Sequence, residues 1–249
     1  MCAKLSCIAG WERLPLMANA GLKYVEVPLP SAEDLVAASA KLRDTGLAAG
    51  SVQVRMDVRS DDGIAGLEGA FARVAALGAS VVFTSVHADD ADRGGAYRRL
   101  RRVGDLAARH GITVAIETHP NLAQNGDVAR QTIEAVGHPN VRVNYDTANV
   151  YYYNHGVDTV AELKKVLPYV AAIHLKDTAG GFETFEFPPL GEGIVDFPAI
   201  LRLLGEAGFA GPVTLEIEGL RDAGADPEAA FARALRTSLK YLAGIGVTP

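Results

Sequence analysis

The sequence predicts a single-domain (β/α)8 TIM barrel spanning residues 1–249. Eight short apolar or β-branched runs alternate with amphipathic stretches from end to end. The chain has the usual length of one such barrel, and no linker, composition shift or low-complexity tract divides it.

The first strand is expected at residues 4–10 (KLSCIAG), the second at 23–28 (KYVEVP), the third at 51–57 (SVQVRMD) and the fourth at 80–88 (SVVFTSVHA). The fifth follows at 112–120 (ITVAIETHP), the sixth at 141–149 (VRVNYDTAN), the seventh at 170–177 (VAAIHLKD) and the eighth at 212–219 (PVTLEIEG). Several are nearly free of polar residues, as strands covered outside by helices must be. Ser31-Ala32-Glu33-Asp34 is expected to cap a helix running to Arg43 and ended by Gly46. Another should run from Ile64 to Leu77, between Gly63 and Gly78. Asp226-Pro227-Glu228 supplies an N-cap, a proline at the first helical position and an acid favouring the helix dipole. A doubly wound sheet uses the same alternation, but no glycine-rich phosphate loop follows the first strand.

With 49% apolar residues the chain can bury a large core, and its net charge of −6 argues against a surface built for nucleic acid. Cys2 and Cys7 are the only cysteines and form no disulfide framework. The N-terminal residues lack the apolar stretch of a signal peptide, and no uncharged run reaches membrane-spanning length. The expectation is a reduced, cytoplasmic protein with no membrane partner, with homo-oligomerisation left open.

Apolar strands that end in carboxylates demand an explanation. Glu117, Asp146, His174 and Glu216 stand late in strands five to eight, spaced 29, 28 and 42 residues apart. Strand ends about 5 Å apart can aim these groups at one point, where three carboxylates would repel unless a cation neutralised them. One divalent metal resolves the conflict, and an oxygen-rich set with one imidazole suits Mn²⁺, with Mg²⁺ or Co²⁺ as alternatives. Glu218 lies two residues beyond Glu216 and faces the same way, so spacing alone leaves either as ligand.

The segments IETHPN, NYDTANVYYY, HLKD and LEIEG, in that order, resemble the xylose-isomerase-like barrel superfamily of sugar isomerases and epimerases. That group includes ketose 3-epimerases, hydroxypyruvate isomerase and inosose-converting enzymes, with apurinic-site endonucleases as distant relatives. The resemblance implies Glu117, Asp146, His174 and Glu216 as metal ligands and favours Glu216 over Glu218. It also implies that Glu117 and Glu216 shuttle the substrate proton. Two departures stand out: Asn149 occupies a place where many relatives carry histidine, and Gln53 stands where the nuclease branch needs one, so a DNA-repair role is disfavoured.

The expected substrate is a small carbohydrate or keto-sugar. A metal-polarised carbonyl acidifies its neighbouring C–H, and one glutamate would take that proton to give a cis-enediolate. Reprotonation on the neighbouring carbon isomerises; delivery to the opposite face epimerises; expulsion of a β-leaving group makes a lyase or dehydratase. A non-catalytic sugar-binding barrel is the remaining class. Candidate substrate contacts are Lys176, His119, His87, Asn149 and Trp11, with Glu26 near the end of strand two. Lys176 has an ion pair with Asp177 as its bland alternative. Tyr151, Tyr152, Tyr153, Phe182, Phe185 and Phe187 could wall a sugar pocket, and Gly191 and Gly193 could let the long segment after strand seven close over it. Arg98, Arg99, Arg101 and Arg102 read as a solvated helix face, and no dedicated phosphate site is evident.

Overall fold

The computed structural model describes residues 4–221, 224 and 226–249; Cys2 lies outside them. Its strands are β1 (Lys4–Cys7), β2 (Tyr24–Pro28), β3 (Ala48–Gln53), β4 (Val81–Thr84), β5 (Thr113–Glu117), β6 (Val141–Asp146), β7 (Val170–Leu175) and β8 (Pro212–Leu215). All pairings are parallel, in the order β1-β8-β7-β6-β5-β4-β3-β2. The remaining seam, between β1 and β2, is spanned by a parallel bridge from Ile8 to Glu26 and by Ala9 N–H donating to Glu26 O at 2.9 Å. The sheet therefore rolls into a nearly closed barrel, which a doubly wound sheet with two free edges does not.

Around it lie α1 (Leu14–Asn19), α2 (Leu35–Thr45), α3 (Leu67–Ala76), α4 (Arg93–Arg109), α5 (Gly126–Val136), α6 (Asn149–Tyr152), α7 (Thr159–Val166), α8 (Phe197–Glu206) and α9 (Pro227–Gly244). Asp226 caps α9 as its sequence demands, accepting from Ala229 N–H at 2.9 Å with Pro227 at the first position. The expected cap of α2 is displaced: Ser31 Oγ accepts from Asp34 N–H at 3.1 Å and holds the turn before the helix, which then runs to Thr45 and ends on left-handed Gly46. α3 begins at Leu67 rather than Ile64, because Asp62–Ile64 forms a separate 3-10 turn before Gly66. No helix among the described residues is long and apolar enough to cross a membrane.

The arginine run on α4 is tied down locally. Arg99 donates to Val58 O and pairs with Asp92, Arg101 donates to Val136 O at 2.7 Å, and Arg102 pairs with Asp61 at 2.8 Å. These contacts staple the outer helical layer.

Neighbouring residues in extended chain face opposite ways, and the end of β7 uses this. Lys176 points into the barrel mouth while Asp177 turns toward the long segment that follows. Asp177 accepts four backbone N–H groups: Thr178 and Val195 on Oδ1, Gly191 and Gly193 on Oδ2, at 2.9–3.1 Å. A Cβ on Gly193 would sit 2.2 Å from Asp177 Oδ1, so glycine there admits the backbone to this carboxylate. The alternative of a Lys176–Asp177 ion pair is not met, and the two glycines anchor the segment to Asp177 while its Phe185 and Phe187 reach the barrel mouth. Replacing Asp177 with Ala strands these amides and should cost about 2–4 kcal/mol of unfolding free energy, read by urea denaturation; a loss under about 0.5 kcal/mol would show that the anchor does not hold the segment.

Candidate metal centre and active site

β5 and β6 end on Glu117 and Asp146, His174 is the penultimate residue of β7, and Glu216 follows β8 directly. Asp146 and His174 are register partners across β6 and β7. One donor atom from each of Glu117, Asp146, His174 and Glu216 lies within 4.8 Å of every other. His174 Nδ1 is 2.9 Å from Glu216 Oε2 and 3.6 Å from Glu117 Oε1. Glu216, and not Glu218, joins this set; Glu218 Oε1 receives a hydrogen bond from Lys176 Nζ at 2.8 Å.

The donor set fits a divalent cation on three counts. Asp146 Oδ1 is occupied by the N–H groups of Ala148 and Asn149, both at 2.8 Å, whereas buried Oδ2 accepts no aligned hydrogen bond. His174 presents Nδ1 to the cluster and has Glu26 Oε2 3.3 Å from Nε2, the outer carboxylate that fixes the ring of a metal-binding histidine. Thirdly, the site gathers more negative charge than its protein cations readily balance. Burial, with Glu216 and Glu117 adding repulsion, pushes Asp146 up to about 7 even though Lys176 Nζ lies 3.1 Å from Oδ2.

The remaining charges are held by these neighbours. Burial opposes the charge on His174, but Glu26, Glu117 and Glu216 outweigh it and keep the imidazole protonated well above its ordinary range. Lys176 is likewise opposed by burial and held charged by Asp146, Glu216 and Glu218. Burial works against Glu117 too, yet hydrogen bonds from His119 and His174 hold its carboxyl below the usual range. His119 Nδ1 stands 2.8 Å from Glu117 Oε2, and the same oxygen accepts from Ser85 Oγ.

A cavity of about 280 Å³ opens onto this cluster. Its lining includes His119, Asn149 and Lys176 from the expected contacts, and Tyr152, Tyr153, Phe185 and Phe187 from the expected aromatics. Asn149 also donates from Nδ2 to Thr118 O at 3.3 Å. Other expected contacts lie elsewhere. Trp11 packs against the hydrophobic core, and His87 bonds Pro120 O with its ring 5.6 Å from that of His119; neither lines the cavity. Tyr151 accepts from Thr159 N–H, and Phe182 stacks on His155. Glu26 is fully buried, so its place is behind His174 and not against a substrate. Ser51 donates to Glu26 Oε2 at 2.6 Å and Gln53 to Oε1 at 3.2 Å. Sequence reading missed Ser85 and Phe83; their place at and just past the end of β4 was the available signal.

Residues 14–242 match the family described as xylose isomerase-like TIM barrel, and the chain belongs to that family. It is 30% identical over 122 residues to a 3-dehydroshikimate dehydratase of Bacillus anthracis, covering 42% of each chain. It is 28% identical over 136 residues to an L-ribulose-5-phosphate 3-epimerase of Escherichia coli, covering 54% of this chain and 46% of the epimerase. These matches span less than half the length of either relative. A crystal structure of a xylose isomerase domain protein from Planctomyces limnophilus superposes with a TM-score of 0.81 at 22% identity, covering 98% of both chains.

Three outcomes test the donor set. Saturating Mn²⁺ at about 100 times its Kd should add about 2.7 kcal/mol, a rise of roughly 5–10 °C in Tm that a chelator reverses; Asp146→Asn should abolish the rise. Metal must displace the proton held on His174, so the apparent Kd should tighten as pH rises, by up to about tenfold per pH unit for each proton released. Glu26→Gln should weaken metal binding about 10–100-fold by freeing the ring of His174. A pH-independent Kd, or one that Glu26→Gln leaves unchanged, would contradict this arrangement.

Proposed function

We propose that this barrel is a divalent-metal-dependent isomerase or epimerase of a small keto- or aldo-sugar, with Glu117 and Glu216 as its proton carriers. The observation that carries the reading is their placement. They are the outermost members of four consecutive strand ends, flanking Asp146 and His174 in one aromatic-walled cavity. Two bases on either side of one substrate carbon are what transfer between faces requires.

Glu117, Asp146, His174 and Glu216 would hold the metal, Mn²⁺ being the ion this oxygen-rich set suits. The bound ion would supply Lewis-acid polarisation of the substrate carbonyl. Glu117 is kept ionised by His119 and His174, the form that can accept a proton. Ser85 and His119 fix its orientation from one side. Glu216 faces it across the cluster and would return the proton to the opposite face, giving an epimer, or to the neighbouring carbon, giving an isomer. Lys176 Nζ, 3.2 Å from Glu216 Oε2, can donate to a substrate oxygen as charge builds on it. Rings of Tyr152, Tyr153, Phe185 and Phe187 offer faces to sugar C–H groups and exclude water, and about 280 Å³ suits one monosaccharide.

A lyase on the same scaffold is the second reading, favoured by the match to a dehydratase. There the same proton is lost, and Lys176 or His119 would protonate a departing hydroxyl instead of a carbon being reprotonated.

Ketoses incubated with the metal-loaded protein in deuterated water should take up label at the carbon beside the carbonyl. Glu117→Gln and Glu216→Gln should each lower that exchange by about 10²–10⁴-fold. Growth of enone absorbance in the ultraviolet would identify the lyase. Exchange that survives Glu216→Gln with full metal content would sink the assignment of the proton carriers.

A further inference from the structure

A second, larger cavity of about 810 Å³ lies beside the first, between the ends of β3 and β4 and helix α3. The two share Phe83 and Ser85 as a common wall, and Ser85 is the residue hydrogen-bonded to Glu117. Its lining carries two guanidinium groups, Arg55 and Arg73, and no Asp or Glu, in a chain of net charge −6. Neither guanidinium has a hydrogen bond or ion pair among the described residues, whereas Arg13, Arg59, Arg99 and Arg102 each hold a carboxylate.

Two buried polar atoms of residues that line this cavity have no hydrogen-bond partner. They are Nε of Arg73 and Oγ1 of Thr84, the last residue of β4, which is only 2% exposed. Leaving a buried donor unsatisfied costs about 1–3 kcal/mol, so an acceptor that reached either group would be favoured. Helical side chains lean toward the helix N-terminus, which in this barrel faces the strand ends that carry the site. Arg73 does so: its Nη1 lies 3.8 Å from where a Cβ on Gly69, four residues earlier, would be. Leu29, Met56, Leu67 and Ala70 supply apolar walls that strengthen any ion pair formed here.

We propose that Arg55, Arg73 and Thr84 form an anion subsite that grips a carboxylate or phosphate on the substrate's tail while its carbonyl end lies between Glu117 and Glu216. A guanidinium fork matches either oxyanion with paired hydrogen bonds, and a hydroxyl can complete the set. The substrate class is thereby narrowed to anionic sugars or keto-acids long enough to pass Ser85. This inference rests on the reading of Glu117 and Glu216 as the reacting centre.

Inorganic phosphate and acetate, titrated separately by calorimetry into wild type, Arg73→Met, Arg55→Ala and Glu216→Gln, test the subsite directly. One anion should bind saturably, at least about tenfold more weakly in both arginine variants, and nearly as well as wild type in Glu216→Gln. The tighter of the two anions tells a phosphate tail from a carboxylate one. Binding lost in Glu216→Gln but kept in the arginine variants, or no saturable binding of either anion, overturns the proposal. Arg55 is exposed, so its variant carries the test should Arg73→Met fold poorly. Deuterium exchange of L-ribulose 5-phosphate against L-ribulose separates the two readings. Arg73→Met should raise the KM of the ester at least about tenfold relative to that of the free sugar. Exchange with an unmoved KM ratio sinks the subsite for a phosphate tail alone and for any tail if 3-dehydroshikimate turnover is equally unmoved. Arginine-dependent anion binding without exchange of any substrate sinks the proton-transfer reading and leaves the subsite standing.

Discussion

Carboxylates crowded at the mouth of a barrel must be neutralised, and much of this molecule follows from how that is done. Glu117, Asp146 and Glu216 converge within 4.8 Å of one another and of His174, in a place water hardly reaches. Repulsion at that distance in a low-dielectric site is too costly to leave unbalanced. Lys176 and the two imidazoles answer part of it, and the raised Asp146 marks what they leave unanswered. A divalent ion completes the balance with ligands already in place, which makes the acidic cluster a source of metal affinity and a cost when metal is absent.

Barrel closure and the centre are coupled through one residue. The backbone of Glu26 makes the bridge that spans the β1–β2 seam, and its side chain lies against Nε2 of His174. Strand closure therefore sets the orientation of the histidine from the side opposite its ligands. Ser51 and Gln53 on β3 fix Glu26 in turn, so the outer shell draws on strands that contribute no ligand. The division of labour at the end of β7 is similar: Lys176 serves the cluster, and Asp177 anchors the segment that walls the cavity.

The barrel and the four converging residues were legible in the sequence because both follow from strand periodicity and strand ends. Glu117, Asp146 and His174 interrupt apolar runs late in their strands. Asp146 and His174 are register partners and Glu117 lies opposite Asn144, two residues before Asp146, close enough for parallel strand ends to bring all three together. Partner choice was not legible. That Lys176 meets Asp146, Glu216 and Glu218 rather than Asp177 depends on which face of β7 it occupies and on the stagger of its neighbours. Glu26 resembled any other strand-end acid until the closing seam placed it behind His174. The break before α3 was hidden because Ile64 continues the apolar spacing of Leu67 and Phe71 yet belongs to a separate 3-10 turn.

Arginine was the residue type most easily misread. The conspicuous cluster on α4 spends its donors on carbonyls and acids of the outer layer, while Arg55 and Arg73, unremarkable in sequence, stand free beside the site. Seventeen or so residues of turn and helix separate them along the chain, and only the lean of Arg73 along α3 brings its guanidinium into the same cavity. The result is a pair of adjoining chambers, one built on the metal-binding strand ends of β5–β8 and one carrying two unpaired guanidinium groups at β3–β4, joined at Ser85. A substrate whose anionic tail is held by Arg55 and Arg73 would present its carbonyl end to Glu117 and Glu216 in a single orientation. Orientation of that kind decides which C–H faces the base before any bond is broken.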